Sequence, residues 1–114
     1  MMARKLLYNG YKDKAERVCI YCRAPYAERH EVYGGANRQI SIREGFQIDL
    51  CREHHRALHE NIEDWAQKEN RTWRRYYEKK WLEEQVEAGA TLAEAVRGWM
   101  AMIGKNYLEE IQPE

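Results

Sequence analysis

Hydrophobic and polar residues follow two different periods along this chain. Residues 46–50 alternate apolar and polar side chains, which is the period of a half-buried strand, and residues 28–33 are typical of a second short strand. Gly34 and Gly35 interrupt the chain after residues 28–33, so we expect the two strands to form a hairpin. From Cys51 onward the chain contains good helix formers and no breaker, which predicts a helix that starts at Cys51.

The second half of the chain has helical periodicity. Its aromatic and apolar residues predict one long helix that packs through an apolar stripe and ends at Gly89. Thr91 and Glu94 form a capping-box pattern, which opens a last helix. The stripe consists of Trp65, Trp73, Tyr76, Tyr77, Trp81 and Leu82.

Composition limits what the chain can be. Its 114 residues, 44% hydrophobic and 33% charged, suit a single domain over residues 1–114, with a chemical core at 17–61 and a helical extension at 62–114. Basic and acidic residues number 19 each, so nucleic-acid binding must come from a local patch. No segment has the about 20 apolar residues of a membrane span, and no signal-peptide pattern opens the chain. We therefore expect a cytoplasmic protein.

Cysteine and histidine spacing predicts a structural zinc site. Cys19 and Cys22 form one closely spaced pair, and Cys51 and His54 form a second at the expected helix start. Three cysteines cannot all pair as intramolecular disulfides, whereas three thiolates and one imidazole complete the tetrahedral set that zinc takes in structural sites. A thiolate at the first turn of a helix also lies near the positive end of the helix dipole. The alternative is three inert cysteines beside a coincidental histidine.

A second set of candidate ligands lies in the same segment. His30 and Glu31 are on the first predicted strand, while His55 and His59 share one face of the predicted helix because they are four residues apart. We expect the helical pair to converge with His30 or Glu31 on an open metal site. A divalent ion there stabilises charge on a phosphate while a neighbouring base activates water. The alternative is that these residues form an ordinary solvated surface.

Together these residues resemble the HNH-like proteins common in phages and prophages. The resemblance covers residues 17–61 and also the segment 103–108. It implies an α+β fold with a small ββα-metal (treble-clef, His-Me finger) core, made of a zinc knuckle, a β-hairpin and a helix, followed by C-terminal helices. The residues that carry it are Cys19-x-x-Cys22, Arg29-His30-Glu31-Val32-Tyr33-Gly34-Gly35, Asn37-Arg38, Ser41, Gly45-Phe46, Leu50-Cys51-x-x-His54-His55 and Ile103-Gly104-Lys105-Asn106-Tyr107-Leu108.

The activity that the resemblance implies is metal-dependent endonuclease cleavage or nicking of DNA phosphodiesters, by a phage- or prophage-encoded protein in a bacterial cytoplasm. We expect a structural Zn²⁺ and a catalytic Mg²⁺ or similar divalent ion, the latter held by His55 and His59. Glu31 stands where many members of the family have a histidine base. The base that the resemblance implies is therefore Glu31 or, if the chain aligns with the family's histidine pair one residue earlier, His30.

The middle asparagine of the family has no direct counterpart. Gly45 and Phe46 occupy its usual position, and neither side chain can do the work of an amide. Asn37, in the expected hairpin loop, is the nearest substitute and would orient the base or contact phosphate. The alternative for Asn37 is a turn-forming role after the glycine pair.

DNA is the expected partner, with RNA as the other candidate nucleic acid. Basic residues on the long helix would contact phosphates without specifying sequence, although interspersed glutamates fit a solvated helix face equally well. A protein partner or a homo-oligomer is compatible with the sequence, and no membrane is expected. Two other functions stay open: a non-catalytic zinc module that binds nucleic acid or a protein, and a phage protein that blocks a host defence. The basic residues are Arg71, Arg74, Arg75, Lys79 and Lys80.

Overall fold

Two short strands and four α-helices make up residues 16–108, the part of the chain that this computed structural model describes. The chain is therefore of the α+β class. Its internal contacts divide it into two compact units, with the boundary between Gln67 and Lys68. None of the helices within residues 16–108 is both long and apolar enough to cross a membrane. The elements are β1 (Glu28–Glu31), α1 (Arg38–Glu44), β2 (Gln47–Leu50), α2 (Arg52–Glu60), α3 (Asp64–Glu87) and α4 (Leu92–Met102), with one turn of 3-10 helix (Gly35–Asn37) before α1.

The sheet confirms the two predicted strands. β1 and β2 pair antiparallel, with Glu28 opposite Leu50 and His30 opposite Ile48. Because successive side chains of a strand point to opposite faces, Glu28 and His30 share one face and Glu31 lies on the other. The first face is the one that meets α2, since both residues contact side chains of that helix.

The connection between the strands contains a helix, where the glycine pair predicts a simple hairpin loop. α1 has seven residues and buries Ser41 and Ile42. The Ser41 hydroxyl donates to the Tyr33 carbonyl at 2.7 Å and accepts from the Tyr33 N–H at 3.1 Å, which ties α1 to the chain that leaves β1. Gly45 ends the helix with φ of 78°, a left-handed conformation that glycine adopts without strain. The helix is too short for hydrophobic periodicity to reveal it.

α2 begins where the sequence predicts. Cys51 is its N-cap residue, with an extended backbone and no side-chain cap hydrogen bond, and the helix continues to Glu60. Leu58 is buried, while Asn61 ends the helix in the left-handed conformation that asparagine tolerates. α2 contacts both strands of the sheet. The helix thus holds a cysteine at its first turn and histidines along the face near β1.

The second unit contains most of α3 and all of α4. The predicted capping box is present: the Thr91 hydroxyl accepts from the Glu94 N–H, and the Glu94 carboxylate accepts from the Thr91 N–H. Trp99 is fully buried, and the ring of Trp81 lies 5.8 Å from it between centroids. A Cβ at Gly98 would meet that Trp81 ring at 3.2 Å, so the absence of a side chain there permits close packing.

The aromatic stripe of α3 is buried only in part. Trp65 is 39% exposed, whereas Leu82 is buried. The buried positions of α3 also include Ala66, Asn70 and Glu78. The Glu78 carboxylate accepts a hydrogen bond from the Tyr107 N–H, after α4, at 2.7 Å. Small and polar residues therefore share the packing that the pattern assigns to the aromatic stripe.

Candidate metal centres

The first candidate centre is a Cys/His group formed by Cys19, Cys22, Cys51 and His54, whose ligand atoms all lie within 4.8 Å of one another. Cys19 and Cys22 lie on a turn before β1, which is closed where the Cys19 N–H donates to the Ala24 carbonyl at 2.9 Å. Cys51 caps α2, and His54 lies in its first turn. The turn and the helix start thus bring together the two closely spaced pairs that the sequence singles out.

Distances within the Cys/His group fit a tetrahedral ion. Zinc with ordinary bond lengths to sulfur and nitrogen would separate two sulfurs by about 3.8 Å and a sulfur from a nitrogen by about 3.5 Å. The sulfurs of Cys22 and Cys51 lie 3.8 Å apart. The Nδ1 atom of His54 lies 3.5 Å from the Cys19 sulfur and 3.1 Å from the Cys51 sulfur. The group can hold a metal ion, and its donor set is compatible with zinc.

Local hydrogen bonds favour the thiolate form of Cys19. Burial raises the pKa of this thiol, but hydrogen bonds from the backbone of Cys51, Cys22 and Tyr21 and from the side chain of Cys22 lower the pKa to about 6. The backbone of Ala24 acts to lower the pKa of Cys22, yet desolvation and the neighbouring thiols raise it overall. The lowered pKa of Cys19 favours its thiolate, which is the form that binds metals.

Two aromatic rings contact the imidazole of the Cys/His group. The ring centroid of His54 lies 5.3 Å from that of Tyr21 and 5.8 Å from that of Trp65. Tyr21 and Trp65 also contact each other edge to face at 6.3 Å. His54 is thus in contact with two aromatic rings and is itself of intermediate exposure.

The second candidate centre is a histidine cluster formed by His30, His55 and His59, each with a ring nitrogen within 4.8 Å of the others. Centroid separations are 5.3 Å from His30 to His55, 5.4 Å from His30 to His59 and 4.8 Å between the helical pair. His30 is buried and 6% exposed, His55 is intermediate and His59 is exposed. The cluster is thus closed at β1 and reaches solvent at His59.

Glu28 contacts the histidine cluster, and sequence reasoning missed it. Its Oε1 lies 2.9 Å from His55 Nδ1, and its Oε2 lies 3.9 Å from the Nε of Arg52. The sequence signal that could have identified Glu28 is its position two residues before His30, because residues two apart lie on one face of a strand. Glu28 is therefore the carboxylate next to the cluster.

Glu31 and Asn37 are held elsewhere. The Glu31 carboxylate accepts from Arg38 Nε and from Gln47 Nε2, both at 3.1 Å, on the other face of β1. The structure thus brings His30, and not Glu31, to the helical histidines, because alternation along the strand separates neighbouring residues. Asn37 is the N-cap residue of α1 and makes no side-chain cap hydrogen bond; its N–H donates to the Gly34 carbonyl at 3.0 Å. It lies at a helix start and not in the expected loop.

The basic residues divide between the two units. The five lysines and arginines singled out on α3 all belong to the second unit, where the guanidinium of Arg74 lies 5.9 Å from the ring centroid of Tyr107. Arg52 and Arg56 are exposed on α2, the helix that supplies His55 and His59. The basic side chains on the helix of the histidine cluster are therefore Arg52 and Arg56.

Comparison with known proteins identifies no relative. No protein-family model, curated protein or solved structure matches this chain significantly. Function must therefore be inferred from the Cys/His group and the histidine cluster themselves.

Proposed function

We propose that this protein is a metal-dependent endonuclease of the HNH type, encoded by a phage or prophage, that cleaves or nicks DNA phosphodiesters. The observation that carries the proposal is the convergence of His30 from β1 with His55 and His59 from α2 at a point that reaches solvent. The Cys/His group has four ligands of its own. The histidine cluster is therefore available for chemistry.

The proposed architecture is a ββα-metal, treble-clef core with structural zinc. What supports this proposal is the chain order of the Cys19–Cys22 turn, β1, β2 and α2, with α1 inserted between the two strands. Zinc would join the turn to the first turn of α2 through Cys51 and His54. Three thiolates and one imidazole favour zinc over the harder divalent ions, and four protein ligands leave no position open for substrate.

The histidine cluster fits a different class of ion. Imidazole nitrogen suits Zn, Ni, Cu and Fe, whereas Mg²⁺ takes oxygen ligands and keeps several waters. The Glu28 carboxylate faces His55 Nδ1 rather than standing in for an oxygen ligand set. We therefore propose a transition-metal ion where the resemblance alone suggests Mg²⁺. When bound, such an ion stabilises negative charge on the phosphate and on the departing oxygen.

His30 is the proposed general base, and His55 and His59 are the proposed ligands. A neutral imidazole accepts a proton near physiological pH, so His30 can take one from the attacking water. The choice of His30 over Glu31 rests on the side of β1 that each occupies. Glu31 accepts two hydrogen bonds on the other face, from Arg38 and Gln47.

Phosphate binding near the histidine cluster is assigned to Arg52 and Arg56. Both are exposed on α2, and guanidinium groups bind phosphate oxygens through charge-assisted hydrogen bonds. Contacts of this kind position the backbone of a nucleic acid without reading its sequence. We therefore propose cleavage with little sequence preference.

Nicking of supercoiled plasmid tests the proposal. Wild-type protein that retains its zinc is expected to nick plasmid with added Zn²⁺, Ni²⁺ or Co²⁺, more weakly with Mg²⁺, and not at all with a chelator. The matched control is Glu60→Ala, which changes an exposed residue at the end of α2 outside the cluster and should retain the wild-type rate. Absence of cleavage of single- or double-stranded DNA and RNA with every ion would contradict it.

The second candidate function is a non-catalytic zinc module that binds nucleic acid or a protein partner. The observation that favours it is the pairing of Glu31 with Arg38, at a position where the resemblance calls for a free base. In the same assay this alternative predicts a shifted DNA band and unchanged plasmid. Retention of binding without cleavage would therefore select it.

A further inference from the structure

We infer that Glu28 is a positioning residue for the metal centre of the proposed function: it holds His55 in one tautomer and orients its ring toward the ion. This inference rests on the proposed function because it requires an ion at the histidine cluster. It goes beyond that function by assigning a task to a residue that neither the HNH resemblance nor the proposed chemistry uses.

The geometry places one oxygen of Glu28 against His55. Oε1 lies 2.9 Å from His55 Nδ1, and the two side chains are 30% and 20% exposed, so water competes only in part for the contact. Glu28 is held in place because it pairs across the sheet with Leu50, which is fully buried. The carboxylate therefore belongs to a residue whose backbone is fixed in the sheet.

The chemistry of this contact selects one nitrogen of His55 for the ion. A neutral imidazole has one N–H and one lone pair, and an ionised carboxylate accepts only. In a neutral His55, the Nδ1 atom must therefore carry the proton and donate a hydrogen bond to Glu28. This leaves the Nε2 lone pair for the metal. Ligands held in this way bind more strongly, and loss of such a partner typically weakens metal affinity about 10-fold to 100-fold.

An ordinary ion pair with Arg52 does not account for Glu28. The Nε of Arg52 is 3.9 Å from Oε2, beyond hydrogen-bond distance, and the Arg52 side chain is 84% exposed. Exposed pairs of this kind contribute little. Glu28 makes a short contact to His55, whereas the carboxylate of Glu31 on the same strand is engaged by Arg38 and Gln47. Glu31 thus provides a matched control.

Metal titration of Glu28→Ala, Glu28→Gln and Glu31→Gln tests the inference, with the Cys/His group first filled with zinc. Binding of Co²⁺ to the histidine cluster is followed by its visible absorption and by calorimetry. Glu28→Ala is expected to weaken Co²⁺ binding about 10-fold to 100-fold. Glu28→Gln, which keeps an acceptor oxygen but not its charge, should lie between Glu28→Ala and wild type. Glu31→Gln should bind Co²⁺ as wild type does.

A nitrogen NMR spectrum of the imidazoles, recorded without Co²⁺, separates positioning from a structural role. Wild type is expected to show His55 protonated at Nδ1, and Glu28→Ala to show a mixture of tautomers with the other histidines unchanged. Equal Co²⁺ affinity in wild type and Glu28→Ala would overturn the inference alone. If wild type cleaves no DNA but the affinity difference persists, the positioning role stands and the nuclease proposal fails. A wild type that binds no second ion overturns both.

Discussion

The Cys/His group and the histidine cluster share one helix but differ in the number and chemistry of their side chains. α2 supplies Cys51 and His54 to the first and His55 and His59 to the second. Neighbouring residues of a helix point about 100° apart, so His54 and His55 face different surroundings although they are adjacent in sequence. One short helix can therefore serve two centres without sharing a ligand.

The difference in ligand number and chemistry favours a difference in task. The Cys/His group offers four protein ligands, and the rings of Tyr21 and Trp65 contact its imidazole. The histidine cluster offers two proposed ligands, His55 and His59, beside the proposed base His30, and His59 is exposed. Structural metal sites are closed, while catalytic sites keep a position for water or substrate. We therefore propose a stabilising role for the Cys/His group and a reactive role for the histidine cluster.

Cys51→Ala should have the largest effect, because it removes a ligand from the proposed structural zinc. Structural zinc contributes apparent binding free energies of about 10–16 kcal/mol in zinc-finger peptides, which is also folding free energy. We expect the variant to lose its zinc and its cooperative unfolding transition, as measured by elemental analysis and circular dichroism. His59→Ala is the control and should unfold cooperatively with zinc retained. A folded, cooperative Cys51→Ala protein without zinc would show that the Cys/His group is not structural.

His30→Ala should lower the rate of DNA cleavage about 100-fold or more at saturating metal, because it removes the proposed base. Glu31→Ala should change the rate little, since that carboxylate lies on the other face of β1. Rates measured over a range of metal concentration distinguish a base from a ligand, because only loss of a ligand is rescued by added metal. A larger loss for Glu31→Ala than for His30→Ala would show that the geometry misassigns the base.

Ser41→Ala should lower stability without emptying either centre. The fully buried hydroxyl both donates to and accepts from the Tyr33 backbone, and leaving such groups unsatisfied costs about 1–3 kcal/mol. Urea unfolding followed by metal analysis checks both parts. Gln39→Ala, an exposed change on the same helix, should be nearly neutral. Loss of metal from the folded variant would mean that α1, and not only α2 and the strands, positions the ligands.

Glu94→Gln should have the smallest effect and serves as a baseline in the unit that contains neither centre. Hydrogen bonds from the backbone and side chain of Thr91 hold the pKa of Glu94 below its usual 4.5. A carboxyl whose pKa is lower in the folded state stabilises above its unfolded pKa, and that contribution disappears as pH falls through the folded pKa. Wild type should therefore melt slightly higher than Glu94→Gln at pH 7, with the difference vanishing in strong acid. A difference that grew on acidification would contradict the sign.

The parts of the fold that sequence predicts are those with a local physical cause. The strands, the start of α2 and the capping box at Thr91 follow from alternation, helix formers and a hydrogen-bonding pair three residues apart. α1 was missed because the interactions that define it, from Ser41 to the Tyr33 backbone and at Gly45, are not periodic. Its seven residues are also fewer than two clear turns of a hydrophobic pattern.

The candidate ligands were predictable from sequence where the spacing between cysteines and histidines determines which side chains can meet. Spacing of three and four residues identifies the ligands on α2, and the two cysteine pairs need only meet. The side of β1 that faces α2 depends on the register with β2, so His30 and Glu31 could not be separated before the pairing was known. Glu28 was missed for the same reason. Its contact with His55 appears only when the strand places the two side chains together.

The most direct test of the central claim, that the histidine cluster is reactive and the Cys/His group is not, is to count metal and measure cleavage in the same samples of wild type and His55→Ala. The account predicts that wild type binds a second ion beyond its zinc and nicks plasmid. His55→Ala should keep the zinc and the fold, bind the second ion much more weakly and lose nicking. Cleavage at the wild-type rate by His55→Ala, or loss of its zinc, would contradict the separation of the two centres.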